Sequence, residues 1–211
     1  MRTASRVVAR SSTFSAAALH GVHQGGAVLI RRADDDDWPS IYPIFARIVA
    51  EGETYAFPEG MRPEEARPWW MEEPPGQTVV AVDGHDILGT AKMGLNRPGR
   101  GAHVATASFM VAPEHRGRGV GRALGRYVLD WAGAAGYLAM QFIAVVETNR
   151  AAVSLWSALG FEVLATVPEA FDHPRHGLVG LHLMHRRLEP PEAAPDEGPD
   201  RTPERQGGSR R

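Results

Sequence analysis

Cysteine is absent from this 211-residue chain. That excludes disulfides, zinc ribbons and thiol nucleophiles together. Net charge is nearly absent too: 23 basic against 25 acidic residues leave −2, with none of the basic excess that nucleic-acid surfaces carry. No run reaches the roughly 18 apolar residues of a spanning helix. Lysine occurs once, at Lys92, a bias better attributed to a GC-rich genome than to function. What is present is a hydrophobic share of 43%, enough for a packed core and incompatible with disorder throughout. The length fits one domain with appendages, and the expected compartment is the cytoplasm.

The ends differ in composition from the middle. Residues 1–26 carry Arg2, Arg6 and Arg10 among small residues with no acid. They read as a disordered extension or a misplaced start, with a transit peptide as the competing reading. From Glu189 onward, five prolines alternate with charges and glycines, so residues 189–211 read as a disordered tail. Between them, residues 27–188 form one block.

Within that block, Ala27 to Ile30 predicts a strand. Asp34 to Asp37 precede a helical pattern of Ile41, Ile44, Phe45 and Ile48. Acids there complement the helix dipole and cap free amides, which explains the run better than a metal site does. Pro63-Glu64-Glu65 opens a short helix ending near Trp69-Trp70-Met71. Residues 78–82 and 87–91 flank Asp83-Gly84-His85-Asp86 and predict a hairpin. Strands are expected over 103–111, 139–145, 161–166 and 178–184, and helices over 121–135 and 150–159. The order mixes hairpins with crossovers, which implies a mixed α/β sheet.

One segment carries chemistry. Arg116-Gly117-Arg118-Gly119-Val120-Gly121-Arg122 joins a strand to a helix. Glycines at alternate positions let backbone amides converge where the helix starts, and unpaired amides at the positive helix end suit a pyrophosphate. Arg116, Arg118 and Arg122 can add charge-assisted contacts. A Walker A loop requires a lysine that is missing here. A dinucleotide turn should open a βαβ unit, whereas this one lies in mid-domain. His173/His176 and His182/His185 lack the ligand number of a metal site, so none is expected.

The segment Arg116 to Gly121 resembles the Arg/Gln-x-x-Gly-x-Gly/Ala signature of the GCN5-related N-acetyltransferases. A second marker follows in order: Asn149-Arg150-Ala151-Ala152, an aromatic at Trp156, then Gly160-Phe161. The resemblance covers about residues 27–188. It implies the family's fold, a mixed and mostly antiparallel central sheet with two splayed parallel strands, here 103–111 and 139–145, and flanking helices.

It also implies acetyl-CoA as co-substrate, a small amine or amino-acid-like acceptor, and direct attack without an acyl-enzyme. The amides of Arg116, Gly117, Arg118, Gly119, Val120 and Gly121 would hold the pyrophosphate. The Val111 amide would polarise the thioester carbonyl, and Asn149 would lie beside the pantetheine arm. Trp156 would border the CoA site, standing where many relatives carry a tyrosine that protonates the leaving thiolate, and an indole N–H is too weak an acid for that. Glu147 is the expected general base through water, or else a cap of the following helix. Gly52-Glu53-Thr54-Tyr55-Ala56-Phe57-Pro58 is similar to the substrate loop of a subgroup that includes a fungal acetyltransferase of azetidine-2-carboxylate. Tyr55 and Phe57 would wall the acceptor pocket, or merely pack the loop on the core. Thr106 and Ile143 stand where that subgroup has asparagines; Thr106 keeps a hydroxyl, Ile143 cannot hydrogen-bond, and the same acceptor is not implied. Homodimers are frequent in the family and stand as an expected partnership. A non-catalytic CoA-binding module and a peptide N-terminal acetyltransferase remain alternative readings.

Overall fold

The acid run ahead of the first helix folds as its residue types dictate. The Asp34 side chain accepts the Asp36 N–H at 3.1 Å, and the Asp37 carboxylate accepts the Asp34 N–H at 2.9 Å. Arg31 grips Asp37 with two bonds of 2.6 and 2.7 Å. That guanidinium holds the Asp37 carboxyl below the usual carboxylate range. Helix α1, Trp38–Glu51, then buries Ile41, Ile44, Phe45 and Ile48 along one stripe, as their spacing requires. It stops at Gly52, whose φ of 65° closes the helix in the left-handed conformation.

The computed structural model describes residues 21–23 and 26–188. Its strands are β1 Gly21–His23, β2 Gly26–Arg32, β3 Gln77–Asp83, β4 Asp86–Leu95, β5 Val104–Val111, β6 Ala139–Val146, β7 Glu162–His173 and β8 Gly177–Arg187. The remaining helices are α2 Pro63–Trp70, α3 Val120–Ala134 and α4 Arg150–Ala158. The sheet order is β1-β2-β3-β4-β5-β6-β8-β7. Every neighbouring pair is antiparallel except β5–β6. This is the mixed, mostly antiparallel α/β sheet that the sequence implies.

Two apolar clusters sandwich the sheet. One sets α3 and α4, through Leu124, Val128 and Trp156, against Val79, Ala91, Met140 and Met184. The other sets α1 and α2, through Ile41, Phe45 and Trp70, against Val80, Val82 and Met110. Alternation along β3 accounts for both, since Val79 and Val80 face opposite clusters.

Two boundaries differ from expectation. Strand β1 lies within the segment assigned to the extension; residues 1–20, 24–25 and 189–211 lie outside the described residues. Strand β7 runs to His173, seven residues beyond its expected end, passing Pro168 through a register shift between Val167 and Phe171. A proline is tolerated there because β7 is the edge strand. His173 is therefore the last residue of a strand.

Candidate active site

Strand β5 is paired on one side and open on the other. The Ala112 N–H donates to Leu88 O, and Val104 O accepts from Asn96 N–H. The even-numbered backbone groups of β5 therefore face β4, and by alternation those of 105, 107, 109 and 111 face β6. Parallel pairing with β6 covers only Val104↔Ala139 and Ala105↔Met140. Beyond it the strands part, and β6 carries a register shift between Phe142 and Val145 that bends it. Phe109, Phe142 and Trp156 pack together beside the fork, on the α3/α4 face of the sheet, with ring centroids 4.5 to 5.9 Å apart.

The open edge of β5 is partly occupied by a side chain from another element. Tyr55 donates its hydroxyl to Phe109 O at 2.8 Å and accepts the Phe109 N–H at 2.9 Å. The Tyr55 hydroxyl is thus engaged by main chain. Burial pushes the Tyr55 phenol far above the ordinary tyrosine range, so it keeps its proton. The Val111 amide is the next one along the same edge.

The glycine-rich loop follows directly. Gly117 and Gly119 have φ of 75° and 82°, the left-handed region that glycine enters without strain. Gly119 is the N-cap of α3, and no side chain caps that helix. The first-turn amides of a 15-residue helix therefore point outward with no side-chain acceptor. A Cβ on Gly121 would lie 3.3 Å from Leu155 and 3.7 Å from Val111, so the loop abuts both α4 and the open edge of β5. The arginines are less concentrated than expected. Arg116 pairs with Glu51 of α1 at 2.7 Å, Arg118 contacts His115 Nδ1 at 2.8 Å, and Arg122 is exposed.

At the end of β6, Asn149 is the N-cap of α4 and its Oδ1 accepts the Ala152 N–H at 3.1 Å. Its amide NH2 remains to serve a ligand. Glu147 does not cap that helix. Its N–H donates to Gly180 O and its carboxylate accepts the Gly180 N–H, which docks it on β8. Because β5 and β6 are parallel, Val111, Glu147 and Asn149 gather at the same end of the fork. Trp156 is 6% exposed and packs in the core, against Phe109 and Phe161.

The acceptor side is assembled from distant segments. Phe57 stacks on Tyr55 at 5.2 Å and on Phe45 at 5.6 Å. Trp70, fully buried, meets Tyr55 edge-on, while Trp69 is 47% exposed. The hairpin between β7 and β8 reaches the same loop: Arg175 pairs with Glu53, and Pro174 lies 3.5 Å from a Cβ built on Gly52. Thr106 is half-buried on β5, and Ile143 is exposed at the β6 irregularity. Sequence reasoning missed Phe109, Glu51, Gly180 and the hairpin contacts. Phe109 alone had a signal, being two residues from Val111 on an alternating strand.

His173 and His176 lie 4.6 Å apart by ring centroid, and His173 Nδ1 accepts the Arg175 N–H. Among the described residues no three His, Asp or Glu side chains converge on one point, and no helix is long and apolar enough to cross a membrane.

Comparison with known proteins agrees with this geometry. Residues 38–161 match the model of the acetyltransferase (GNAT) family. The chain is 58% identical to a GCN5-related N-acetyltransferase from Kribbella flavida, with a TM-score of 0.74 over 76% of this chain and 98% of that one. It is 26% identical to yncA, a putative acetyltransferase from Salmonella typhimurium solved with its cofactor acetyl-CoA, with a TM-score of 0.66 over 81% and 98% of the two chains. Over 84 residues, 40% of each chain, it is 33% identical to N-acetyltransferase aca1 of Schizosaccharomyces pombe. The match thus spans well under half of that curated relative. With the fork, the capless helix and both markers in place, the chain belongs to the acetyltransferase (GNAT) family.

Proposed function

We propose that this chain is an acetyl-CoA-dependent N-acetyltransferase that acetylates a small amine or amino-acid-like acceptor by direct attack. The observation that carries the reading is the continuity of donors from the open edge of β5 into the uncapped head of α3. An extended thioester can lie along the first while its diphosphate reaches the second. The fit is supported by Gly117, where an added Cβ would meet nothing within 4 Å, so main chain alone faces the ligand.

The residues divide the work. The amides of Arg116 to Gly121 hold the diphosphate, and Arg118 and Arg122 add charge at its rim. The Val111 N–H donates to the thioester oxygen and stabilises the charge that develops there. Asn149 turns its amide NH2 to the pantetheine arm. The acceptor nitrogen attacks the thioester carbon, forming C–N as C–S breaks. Glu147 takes the ammonium proton through water, and water protonates the departing thiolate, since Trp156 has no acidic hydroxyl. Tyr55 and Phe57 contribute the apolar wall of the acceptor pocket, with Thr106 near its floor. Holding both substrates together supplies much of the acceleration.

Trp156 in place of a phenol favours a second reading, a CoA-binding module without turnover. Thiol release from acetyl-CoA over a panel of amines, amino acids and short peptides separates the two. Release with any small amine supports the enzyme. Tight CoA binding with no release from any acceptor supports the module, and release with peptides alone moves the acceptor class to protein N-termini.

A further inference from the structure

The β7–β8 hairpin folds over the acceptor side of the sheet. Val145 packs with the α3/α4 cluster, so its neighbour Val146 faces the α1/α2 side. Phe171 and Val179 pack on Val146 there, and His173, the next residue of β7 on that face, points the same way. The register carries His173 past Leu181, where pairing of β8 with β6 ends. His173 therefore stands at the mouth of the proposed acceptor pocket, with Pro174 against Gly52 and Arg175 on Glu53.

His173 is 4% exposed. The other buried polar side chains, Asp37, Thr78 and Thr90, are each held by a protein partner. His173 is half satisfied. Its Nδ1 accepts the Arg175 N–H at 3.2 Å, so the neutral ring carries its proton on Nε2. Among the described residues that second N–H meets no protein acceptor. Nor is it sealed in, since Thr148 Oγ1 is the one fully enclosed side-chain polar atom without a partner among those residues. One fixed donor at the edge of an apolar wall is left for a ligand.

We propose that the His173 Nε2–H binds a neutral carbonyl oxygen at the far end of the acceptor, so that amines carrying an amide are preferred to amines carrying a carboxylate. This rests on the acetyltransferase reading above and narrows its acceptor. The donor is uncharged, and Val146, Phe171 and Val179 beside it are apolar. The cations flanking the 51–57 loop are already paired: Arg47 with Glu114, Arg116 with Glu51 and Arg175 with Glu53. A carboxylate placed here would lose its water with no unpaired cation to receive it, a cost that one neutral N–H does not offset. An amide carbonyl loses less on leaving water and is satisfied by a single donor. The tautomer also excludes His173 as a base, because Nδ1 is engaged and Nε2 is already protonated.

The test compares thiol release from acetyl-CoA by the wild-type protein over matched acceptors of graded length. These are amino acids, their primary amides and the corresponding plain alkylamines, with dipeptides added. Amides should exceed plain amines in kcat/KM by about two- to tenfold, the worth of one neutral hydrogen bond, and free carboxylates should fall below both. Release from dipeptides but not from primary amides would assign the same carbonyl to a peptide. A carboxylate that matches its amide, or an amide no better than its plain amine, would overturn the proposal and leave the acetyltransferase reading intact. No release from any acceptor would overturn both.

Two variants separate recognition from structure. His173→Asn keeps an oxygen for the Arg175 N–H and removes the Nε2 donor. His173→Gln gives up that turn contact but carries an amide NH2 to the Nε2 position. In His173→Asn the KM for amides should rise by the same factor, with kcat and the plain-amine KM unchanged, and His173→Gln should restore the amide preference. An equal change for every acceptor in folded His173→Asn is what a purely structural histidine gives, and would contradict the proposal. Should neither variant fold, the wild-type series decides alone.

Discussion

Gly117→Ala isolates the role of backbone conformation in the phosphate loop. Gly117 has φ of 75°, and a Cβ built on it meets no atom within 4 Å. No clash is introduced, so the entire cost is that of holding an L-residue in the left-handed region, about 1–2 kcal/mol. The stretch 116–119 is exposed, so in the free protein the loop relaxes out of that conformation and leaves the melting temperature nearly unchanged. Ligand binding must then restore it. The same 1–2 kcal/mol therefore appears as a Kd for CoA weakened by a factor of about 5–30. Calorimetric titration measures this directly. Gly84→Ala is the control: φ is 60°, the site is equally open, and the residue lies in the hairpin turn between β3 and β4. It should leave CoA affinity untouched. Gly117→Asn should fall between alanine and wild type, because asparagine tolerates the left-handed region. Wild-type CoA affinity in folded Gly117→Ala would refute the reasoning, as would an equal loss in Gly84→Ala.

Other variants probe separate parts of the account. Gly121→Glu forces a side chain between Leu155 and Val111 at the head of α3, where an added Cβ already lies 3.3 Å from Leu155; titration should find CoA binding abolished, and the melting temperature should fall as those neighbours give way. Glu147→Gln keeps an acceptor for the Gly180 N–H but removes the base; kcat should fall by about 10²–10⁴ with the melting temperature unchanged. For Asp37, the Arg31 guanidinium lowers the folded-state pKa below the unfolded value. Its stabilisation is therefore fully present above the unfolded carboxylate value near about 4 and is lost as pH falls through the lower folded value. Thermal melts should show Asp37→Asn less stable than wild type at pH 7, with the gap closing below about pH 4.

Some of this was legible in the sequence because the signal is local. The α1 stripe, the acid cap and the Gly84 turn each follow from neighbours a few residues apart. The phosphate loop was legible for the same reason, since glycine spacing and the onset of a helix stand side by side. Strand β7 was cut short because residues 162–170 are all exposed. A strand with neither face buried shows no alternation that would extend it beyond Thr166. The pairing of Tyr55 with Phe109 spans 54 residues, and that of Arg116 with Glu51 spans 65. No periodicity encodes contacts made only once the sheet has formed. The arginines show the same limit: their charge suits phosphate, yet Arg116 is claimed by α1. Glu147 was read as base or helix cap, whereas its carboxylate docks on Gly180, a partner 33 residues away.

A crystal structure of the chain with CoA tests the central claim most directly. The account predicts diphosphate oxygens about 2.7–3.2 Å from N–H groups of residues 116–121, at ordinary hydrogen-bond length. A diphosphate held elsewhere, with those amides facing solvent, would contradict it.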